Sequence, residues 1–243
     1  MAGINEQTKG TGLQRGASAP LGPYMTDLAM WLKAETVAQA DGSTVTDWTD
    51  SSVNNKGMTA HESHGPIYKT SGQNSQSYLN FSGSLYMRRD NDCDHLTAAG
   101  ANTIFMVCTL PKPGSTQFIL DGNPDNGIAR RYAIVAAGGL TVARDGGGGS
   151  VATNDYNDGD HKMVSWVING ASSSLSLNGV EKNTGTISAD ATEWASLFLG
   201  TNRDLASGRF IGRMYEFLVY SGAIPLAGIS QTNTYLLNKF ALS

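Results

Sequence analysis

Two loops of the sequence carry oxygen-rich side chains at a spacing that suits a metal ion. In the first loop, Asp121, Asn123 and Asp125 place side-chain oxygens at alternate positions, as a calcium-binding loop does. Asn126 stands where an EF-hand has glycine, and Tyr132 stands where it has its last glutamate, so the loop is not an EF-hand. The pattern therefore predicts either a calcium site or a turn made of the same residue types.

The second loop clusters three carboxylates, Asp90, Asp92 and Asp94, with Arg88 and Arg89 as the adjacent positive charges. Clustered carboxylates repel one another and favour a divalent cation, again calcium. The alternative is a set of solvated surface acids.

The segment His61-Glu62-Ser63-His64 holds the residue types of a zinc-protease motif. That motif needs two histidines four positions apart on a helix, with the glutamate beside them. Here the histidines are three apart and Gly65-Pro66 follows. We interpret the segment as a polar loop.

A sugar site needs an exposed aromatic ring with amide or acid groups beside it, because the apolar face of a sugar stacks while its hydroxyls form hydrogen bonds. Trp31, Trp48 and Trp166 lie in or beside apolar strand patterns and are predicted to be in the core. Trp194 and Tyr156 lie near loops and are candidates for the platform. The polar residues beside them are Asn154, Asp155, Asn157 and Asp158.

The elements that must position these loops are short β-strands. Apolar stretches alternate with Gly, Asn, Asp and Ser clusters about every ten residues, which is typical of a sandwich. Strands are predicted at 28–32, 78–81, 85–87, 103–110, 117–120, 132–136, 140–143, 162–168, 174–177, 195–199 and 209–220. Asn178-Gly179 predicts a two-residue hairpin between 174–177 and the extended stretch that follows.

The two ends of the chain differ from this pattern. Residues 226–240 predict a helix that caps the sandwich, since Ile229, Leu236, Leu237 and Phe240 fall near one face. Residues 1–26 show neither strand nor helix periodicity and contain several Gly and Pro residues. We expect an extended arm at 1–26, which could span about 85 Å, and one domain at 27–243.

Composition excludes several classes of protein. With 40% hydrophobic residues in 243, the chain can bury a sizeable core and is not disordered throughout. Its 17 basic residues are scattered and the formal charge is −4, so nucleic acid is not an expected partner. No run approaches the roughly 18 apolar residues of a membrane helix. Cys93 and Cys108 have no metal-ligand spacing and are predicted to be free thiols, and Cys93 with His95 makes only half of a zinc site.

Eight segments follow one another in a recognisable order: 28–34, 45–52, 78–84, 158–164, 175–180, 199–200, 212–220 and 235–240. Over most of residues 28–242 this order resembles the concanavalin A-like, laminin-G-like jelly-roll family. The resemblance implies an all-β fold, a sandwich of two large antiparallel sheets. It also implies a binding, adhesion or structural module more often than an enzyme, and in related lectins calcium sits at the rim of the sandwich.

The sequence lacks the catalytic carboxylates that a related glycoside hydrolase would need. The glucanase branch of that superfamily carries Glu-x-Asp-x-(x)-Glu on one strand. No glutamate of this chain has such neighbours; the six are Glu6, Glu35, Glu62, Glu181, Glu193 and Glu216. Glu216 alone lies within a clear strand, where we expect it to pair with a basic group or with edge backbone. We therefore expect no catalytic residues.

These observations predict a non-enzymatic module anchored by residues 1–26 to other structural subunits, as in a phage virion decoration, fibre or tail protein. A host-surface glycan is the expected ligand of the domain, and a homo-oligomer or multicopy assembly the expected state. The first ten residues lack the apolar core of a secretory signal, which favours a virion protein made in the host cytoplasm. The alternatives are a calcium-dependent lectin or adhesin, extracellular or at the cell surface if the natural chain begins before Met1, and a divergent glycan-degrading enzyme.

Overall fold

The computed structural model describes residues 22–96, 100–123, 131–145, 147–189, 194–205 and 208–243. Within these residues the chain forms sixteen strands, three short 3-10 helices and one α-helix. The strands are β1 Leu28–Lys33, β2 Asp47–Trp48, β3 Met58–Ala60, β4 Ile67–Lys69, β5 Tyr78–Ser82, β6 Met87–Asp90, β7 Asn102–Leu110, β8 Gln117–Asn123, β9 Arg131–Ala136, β10 Gly139–Arg144, β11 Ser150–Thr153, β12 Asp160–Ile168, β13 Gly170–Leu177, β14 Val180–Ile187, β15 Ser196–Leu199 and β16 Ile211–Tyr220. The α-helix, α1, is Leu226–Phe240, and the 3-10 helices are Ala34–Thr36, Gln73–Ser75 and Asp94–Leu96.

The strands form two antiparallel sheets of eight, which confirms the predicted sandwich. One sheet, here called the helix-side sheet, has the order β14-β13-β12-β7-β16-β5-β4, with β1 also paired to β16. The other, here called the far sheet, has the order β11-β10-β9-β8-β15-β6-β3-β2. The main core lies between them and contains Trp48, Trp166 and Trp194, all buried.

Strand prediction succeeded where apolar residues are frequent. Every predicted strand has a counterpart, although β6 begins only at Met87, where 85–87 was predicted. The strands without a prediction are β2, β3, β4 and β11, which have two to four residues each. Such short segments show too few alternations to be recognised. The mostly exposed β14 was anticipated only as the extended stretch after the hairpin.

The hairpin between β13 and β14 turns at Asn178-Gly179, as predicted. Both residues have positive φ, 50° and 77°, which is the geometry of a type I′ turn. Asn178 Oδ1 also accepts a hydrogen bond from the backbone N–H of Met163 at 2.8 Å. The turn is therefore bonded to β12 as well as to its own strands.

Helix α1 covers the outer face of the helix-side sheet and has the predicted bounds. Its buried positions recur every four residues, at Gly228, Thr232, Leu236 and Phe240. Leu236 and Phe240 pack in a second hydrophobic cluster with residues of β7, β12 and β16. Burying side chains of this size stabilises the fold by about 1.5–3 kcal/mol each.

A β-bulge changes the faces of β16. Strict alternation predicts Met214 on the face of Glu216, and Tyr215 on the face of Phe217. The pairing of β16 with β7 shifts between Met214 and Glu216. Met214 therefore joins Phe217 in the core between the sheets, whereas Tyr215 and Glu216 both face α1. The bulge therefore places Met214 and Tyr215 on the faces opposite to those that strict alternation predicts.

Glu216 is completely buried and its carboxylate accepts three hydrogen bonds. Lys239 Nζ donates to Oε2 at 2.7 Å, and Tyr235 Oη donates to Oε1 at 3.0 Å. Trp31 Nε1 donates to Oε1 at 2.5 Å. Of the two partners expected for Glu216, the structure therefore shows the basic group. Trp31 is only half-buried beneath α1 and is not part of the main core.

The start of the described chain docks on the same helix. Tyr24 donates its backbone N–H to Thr232 Oγ1 at 3.1 Å and accepts from Tyr220 Oη at 2.9 Å. The backbone carbonyl of Pro23 accepts from Gln231 Nε2 at 3.1 Å. The last part of the predicted arm therefore lies against the domain, and residues 1–21 lie outside the described residues. No helix in the described ranges has the length and hydropathy to cross a bilayer.

Candidate functional site

A polar pocket of about 370 Å³ opens where β11 leads into β12. Four of the residues proposed for sugar binding line it: Asn154, Asp155, Tyr156 and Asn157. Lys112, Asp160 and Lys162 complete the lining. The fourth polar candidate, Asp158, lies beside the pocket and accepts the backbone N–H of Lys112 through Oδ1 at 2.7 Å.

Hydrogen bonds within the chain hold the shape of this loop. Asp160 Oδ2 accepts the backbone N–H of Asn157 at 2.9 Å, and the N–H of Asp160 donates to the carbonyl of Asn157 at 3.1 Å. Gly159 has a φ of 77° and donates its N–H to the carbonyl of Leu110. The loop is therefore bonded to the end of β7, which places Lys112 beside it.

Each of the two carboxylates in the pocket pairs with a lysine. Lys162 lies 3.4 Å from Asp160, and Lys182 forms an ion pair with Asp155. The hydrogen bond from Lys182 lowers the pKa of Asp155, and the backbone hydrogen bond from Asn157 lowers the pKa of Asp160. Both carboxylates are therefore ionised at neutral pH and present acceptors, while the lysines present donors.

The predicted aromatic platform is wrong, because both rings are buried. Tyr156 is 6% exposed, and Lys112 Nζ covers its ring at 4.9 Å from the centroid. Trp194 has no exposed surface and packs on Gly122, where a Cβ would lie 2.2 Å from Trp194 Cε2. Gly122, which has no side chain, leaves room in the core for the indole ring of Trp194. Neither ring is available to stack on a ligand.

The first calcium candidate loop contains one fully described side chain. Asp121 is buried in β8, and its Oδ2 accepts the backbone N–H of Arg203 at 3.0 Å. Asn123 ends β8 opposite Ser196 in β15. The side chain of Asn123 and the whole of Asp125 lie outside the described residues. The calcium site remains a prediction here.

In the second candidate loop two of the three carboxylates, Asp90 and Asp92, already have cationic partners. Asp90 pairs with Arg88 at 2.9 Å. Asp92 pairs with Arg89 at 3.1 Å and with Lys56 at 2.5 Å, and the bond from Lys56 lowers its pKa. Sequence reasoning missed Lys56, which lies 36 positions away along the chain. Asp94 is exposed at the start of a 3-10 helix.

Both cysteines are free, as predicted, and both are buried. Burial raises the pKa of each thiol to about 12. Cys93 donates weakly from Sγ to the carbonyls of Arg89 and Asn91, at 3.8 and 3.5 Å. Its sulfur is therefore directed into the protein rather than toward a ligand.

Lys112, Asp160 and Lys162 are the pocket residues that sequence reasoning missed. Asp160 and Lys162 lie at the start of a strand that was predicted to begin at residue 162. Their position just after residues 154–158 could have indicated that they border the same pocket. Lys112 had none, because it comes from the loop after β7 and reaches the carbonyl of Asn154 across 42 positions.

No family model matches the chain, and no curated protein matches it. Solved structures do match. The sialidase of Trypanosoma rangeli in complex with sialic acid superposes with a TM-score of 0.59 at 12% identity, over 88% of this chain and 33% of the sialidase. A mutant of that sialidase displaying trans-sialidase activity gives 0.61 at 13% identity, over 94% of this chain and 35% of the mutant.

The receptor-binding domain of botulinum neurotoxin type G gives a TM-score of 0.57 at 11% identity, over 87% of this chain and 51% of that domain. The chain thus spans about a third of the sialidase and half of the toxin domain. At such low identity the likeness concerns the fold alone. It supports the resemblance to two-sheet sandwich proteins: the chain is a β-sandwich whose architecture also occurs in these larger proteins.

Proposed function

We propose that the chain is a non-enzymatic β-sandwich module that binds a saccharide in the polar pocket at residues 154–162. The observation that carries this proposal is the grouping of exposed amides and paired charges around one cavity of about 370 Å³. A sugar offers many hydroxyls, each both donor and acceptor, and the pocket presents ammonium, amide, carbonyl and carboxylate groups to them. Recognition would depend on hydrogen bonds, since among the described residues no aromatic ring at this pocket is free to stack.

Solved structures with this fold support a saccharide or receptor ligand. One is a sialidase holding sialic acid and another is a receptor-binding domain, so the architecture occurs in proteins that meet saccharides or receptors.

A glycosidase is disfavoured at this pocket. Glycoside hydrolysis needs one carboxyl group that stays protonated near neutral pH to act as general acid. The pKa values of Asp155 and Asp160 are instead lowered by their hydrogen-bond donors. Neither is suited to donate a proton to a leaving group.

The proposal also includes the assembly role. Residues 1–26 would anchor the domain to capsid, fibre or tail subunits of a phage virion, in many copies, with avidity strengthening weak saccharide contacts. In support, Gln231 of α1 donates from Nε2 to the carbonyls of Gly22 and Pro23, which holds the end of the 1–26 segment against the domain.

Saccharide binding is tested by glycan-array screening, followed by calorimetry with the best hit. Lys162→Ala removes a donor from the pocket and should weaken binding at least about tenfold, as expected for a hydrogen bond from a charged group. Lys69→Ala is the matched control, because Lys69 also pairs with one aspartate, Asp41, at 3.3 Å, and does not line the pocket. It should leave binding unchanged.

Three results would contradict the saccharide proposal: no binding on the array, equal loss in Lys162→Ala and Lys69→Ala, or turnover of the bound glycan. Binding that disappears with a chelator would instead favour the calcium-dependent lectin. For the assembly role, native mass and hydrogen exchange over residues 1–26 are decisive. A monomer with fast exchange there, in the presence of virion scaffold proteins, would rule it out.

A further inference from the structure

The loop between β3 and β4 brings two histidines and a glutamate together. His64 donates its backbone N–H to the carbonyl of His61 at 3.0 Å, which closes a four-residue turn. Glu62 occupies the second position of this turn with a φ of 53°, in the left-handed region that favours glycine. The polar loop predicted from the sequence is thus a tight turn, with the side chains of His61, Glu62 and His64 grouped at its surface.

The potential ligand atoms of these three side chains lie close to one another. One potential ligand atom from each of His61, Glu62 and His64 lies within 4.8 Å of the other two. Among the described residues, no other group of three or more His, Cys, Asp or Glu side chains meets this criterion. Nε2 of His61 and Oε1 of Glu62 are 3.9 Å apart. The imidazole rings are stacked, with centroids 6.3 Å apart.

Hydrogen bonds on the far side of each ring determine which nitrogen is available. Nδ1 of His64 lies 3.1 Å from the carbonyl of His61, which can only accept, so this Nδ1 carries the proton. The Nε2 lone pair of His64 is then free. Nδ1 of His61 lies 3.0 Å from Tyr86 Oη, which can accept a hydrogen bond from a protonated Nδ1 and leave the Nε2 lone pair of His61 free to bind a metal. Metal-binding histidines characteristically donate their second N–H in this way.

The neighbouring residues hold the turn in place. Tyr86 is buried, and its backbone N–H donates to the carbonyl of His64 at 2.7 Å. Gly65 allows close passage of the chain, because a Cβ there would meet the carbonyl oxygen of Val45 at 1.9 Å. The guanidinium of Arg209 lies over the Tyr86 ring at 5.4 Å from its centroid. The group that orients His61 is therefore itself fixed.

We propose that His61, Glu62 and His64 bind a divalent ion of the zinc class through the two Nε2 atoms and the Glu62 carboxylate. Two imidazoles and a carboxylate suit zinc better than calcium or magnesium, which prefer oxygen ligands alone. Bonds of about 2.0–2.1 Å bring tetrahedral ligands to about 3.4 Å from one another. The Glu62 side chain is 71% exposed, so it can rotate to close the remaining distance. A fourth position stays open to water.

The site is tested on the untagged chain after removal of metals with EDTA. Dialysis against Zn²⁺ and elemental analysis should give one zinc ion per chain, and Co²⁺ in its place should give the visible absorption of a four-coordinate ion. His64→Ala and the bulkier His64→Gln should lose this ion. Tyr86→Phe keeps the ring but removes the hydroxyl that orients His61, and should weaken zinc binding about 10- to 100-fold.

His161→Ala is the matched control, since His161 is a half-buried histidine bonded to Tyr215 Oη at 2.8 Å, outside the turn. It should bind zinc as the wild type does, and circular dichroism should show that each variant is folded. Absence of stoichiometric zinc in the wild-type chain would overturn the proposal. So would zinc retained in both His64 variants, or equal loss in His161→Ala. Saccharide binding at residues 154–162 has no part in these outcomes.

Discussion

Lys239, in the last turn of α1, places its Nζ 2.7 Å from Oε2 of Glu216, which is completely buried in β16. Burial raises the pKa of Glu216, and the charge of Lys239 opposes that rise. Lys239 also pairs with Glu35 at 2.8 Å, near the surface. The contact fastens the C-terminal helix to the centre of the helix-side sheet.

Lys239→Met should destabilise the fold by about 3–5 kcal/mol near neutral pH, because a carboxylate would remain buried without its cation. The pKa of folded Glu216 would then lie further above its ordinary value of 4.5. An acid whose pKa is higher in the folded state than in the unfolded state binds its proton more readily when folded. The destabilisation is therefore full above the folded pKa and disappears as the pH falls toward the unfolded value of 4.5. Urea unfolding of the variant and the wild type at pH 7 and at pH 4.5 measures how far the loss of unfolding free energy depends on pH.

Two further variants check that interpretation. Glu216→Gln combined with Lys239→Met removes both charges and should recover much of the lost free energy of unfolding. Glu35→Gln removes only the partly exposed partner and should cost less than about 1 kcal/mol. A Lys239→Met loss that is the same at both pH values would show that the side-chain stem, rather than the charge, is what matters.

Gly179→Ala should destabilise the β13–β14 hairpin by about 1 kcal/mol, since its φ of 77° is costly for a residue with a Cβ. The new Cβ would also lie 3.3 Å from Asn233 Nδ2. Gly138→Ala is the matched control in the turn between β9 and β10, with open space around it and no positive φ. Thermal unfolding should separate the two variants, and equal melting temperatures would refute the argument.

Trp194→Ala should lower the free energy of unfolding by about 3–5 kcal/mol, because it removes a fully buried ring from the core. Gly122→Ala should also destabilise strongly, since its Cβ would overlap that ring. Denaturant unfolding measures both effects. Saccharide affinity of the folded fraction should not change; a Trp194→Ala variant of normal stability with lost binding would restore the aromatic platform that we reject.

Cys93 and Cys108 should be unreactive in the native protein. Burial raises the pKa of both thiols to about 12, so little thiolate forms at mildly alkaline pH, and neither sulfur is accessible. A chromogenic disulfide reagent should detect no thiol in native protein and two per chain in denaturant. Rapid labelling of either cysteine before unfolding would contradict the buried positions.

The sequence by itself determined the all-β class, the bounds of α1 and the Asn178-Gly179 hairpin. These features depend on periodicity and turn chemistry, which consecutive residues encode locally. It also brought together Asn154, Asp155 and Asn157, because neighbours on one loop stay neighbours in the fold.

Tertiary structure alone decided the rest. The bulge at Tyr215 reverses the faces of two residues, and the glycine at 122 opens the space that buries Trp194. Lys56 reaches Asp92 across 36 positions, and Lys112 reaches the 154–158 loop across more than 40. Such contacts follow from sheet order and register, which bring distant segments together, so no pattern along the chain reveals which charges are paired and which rings are covered.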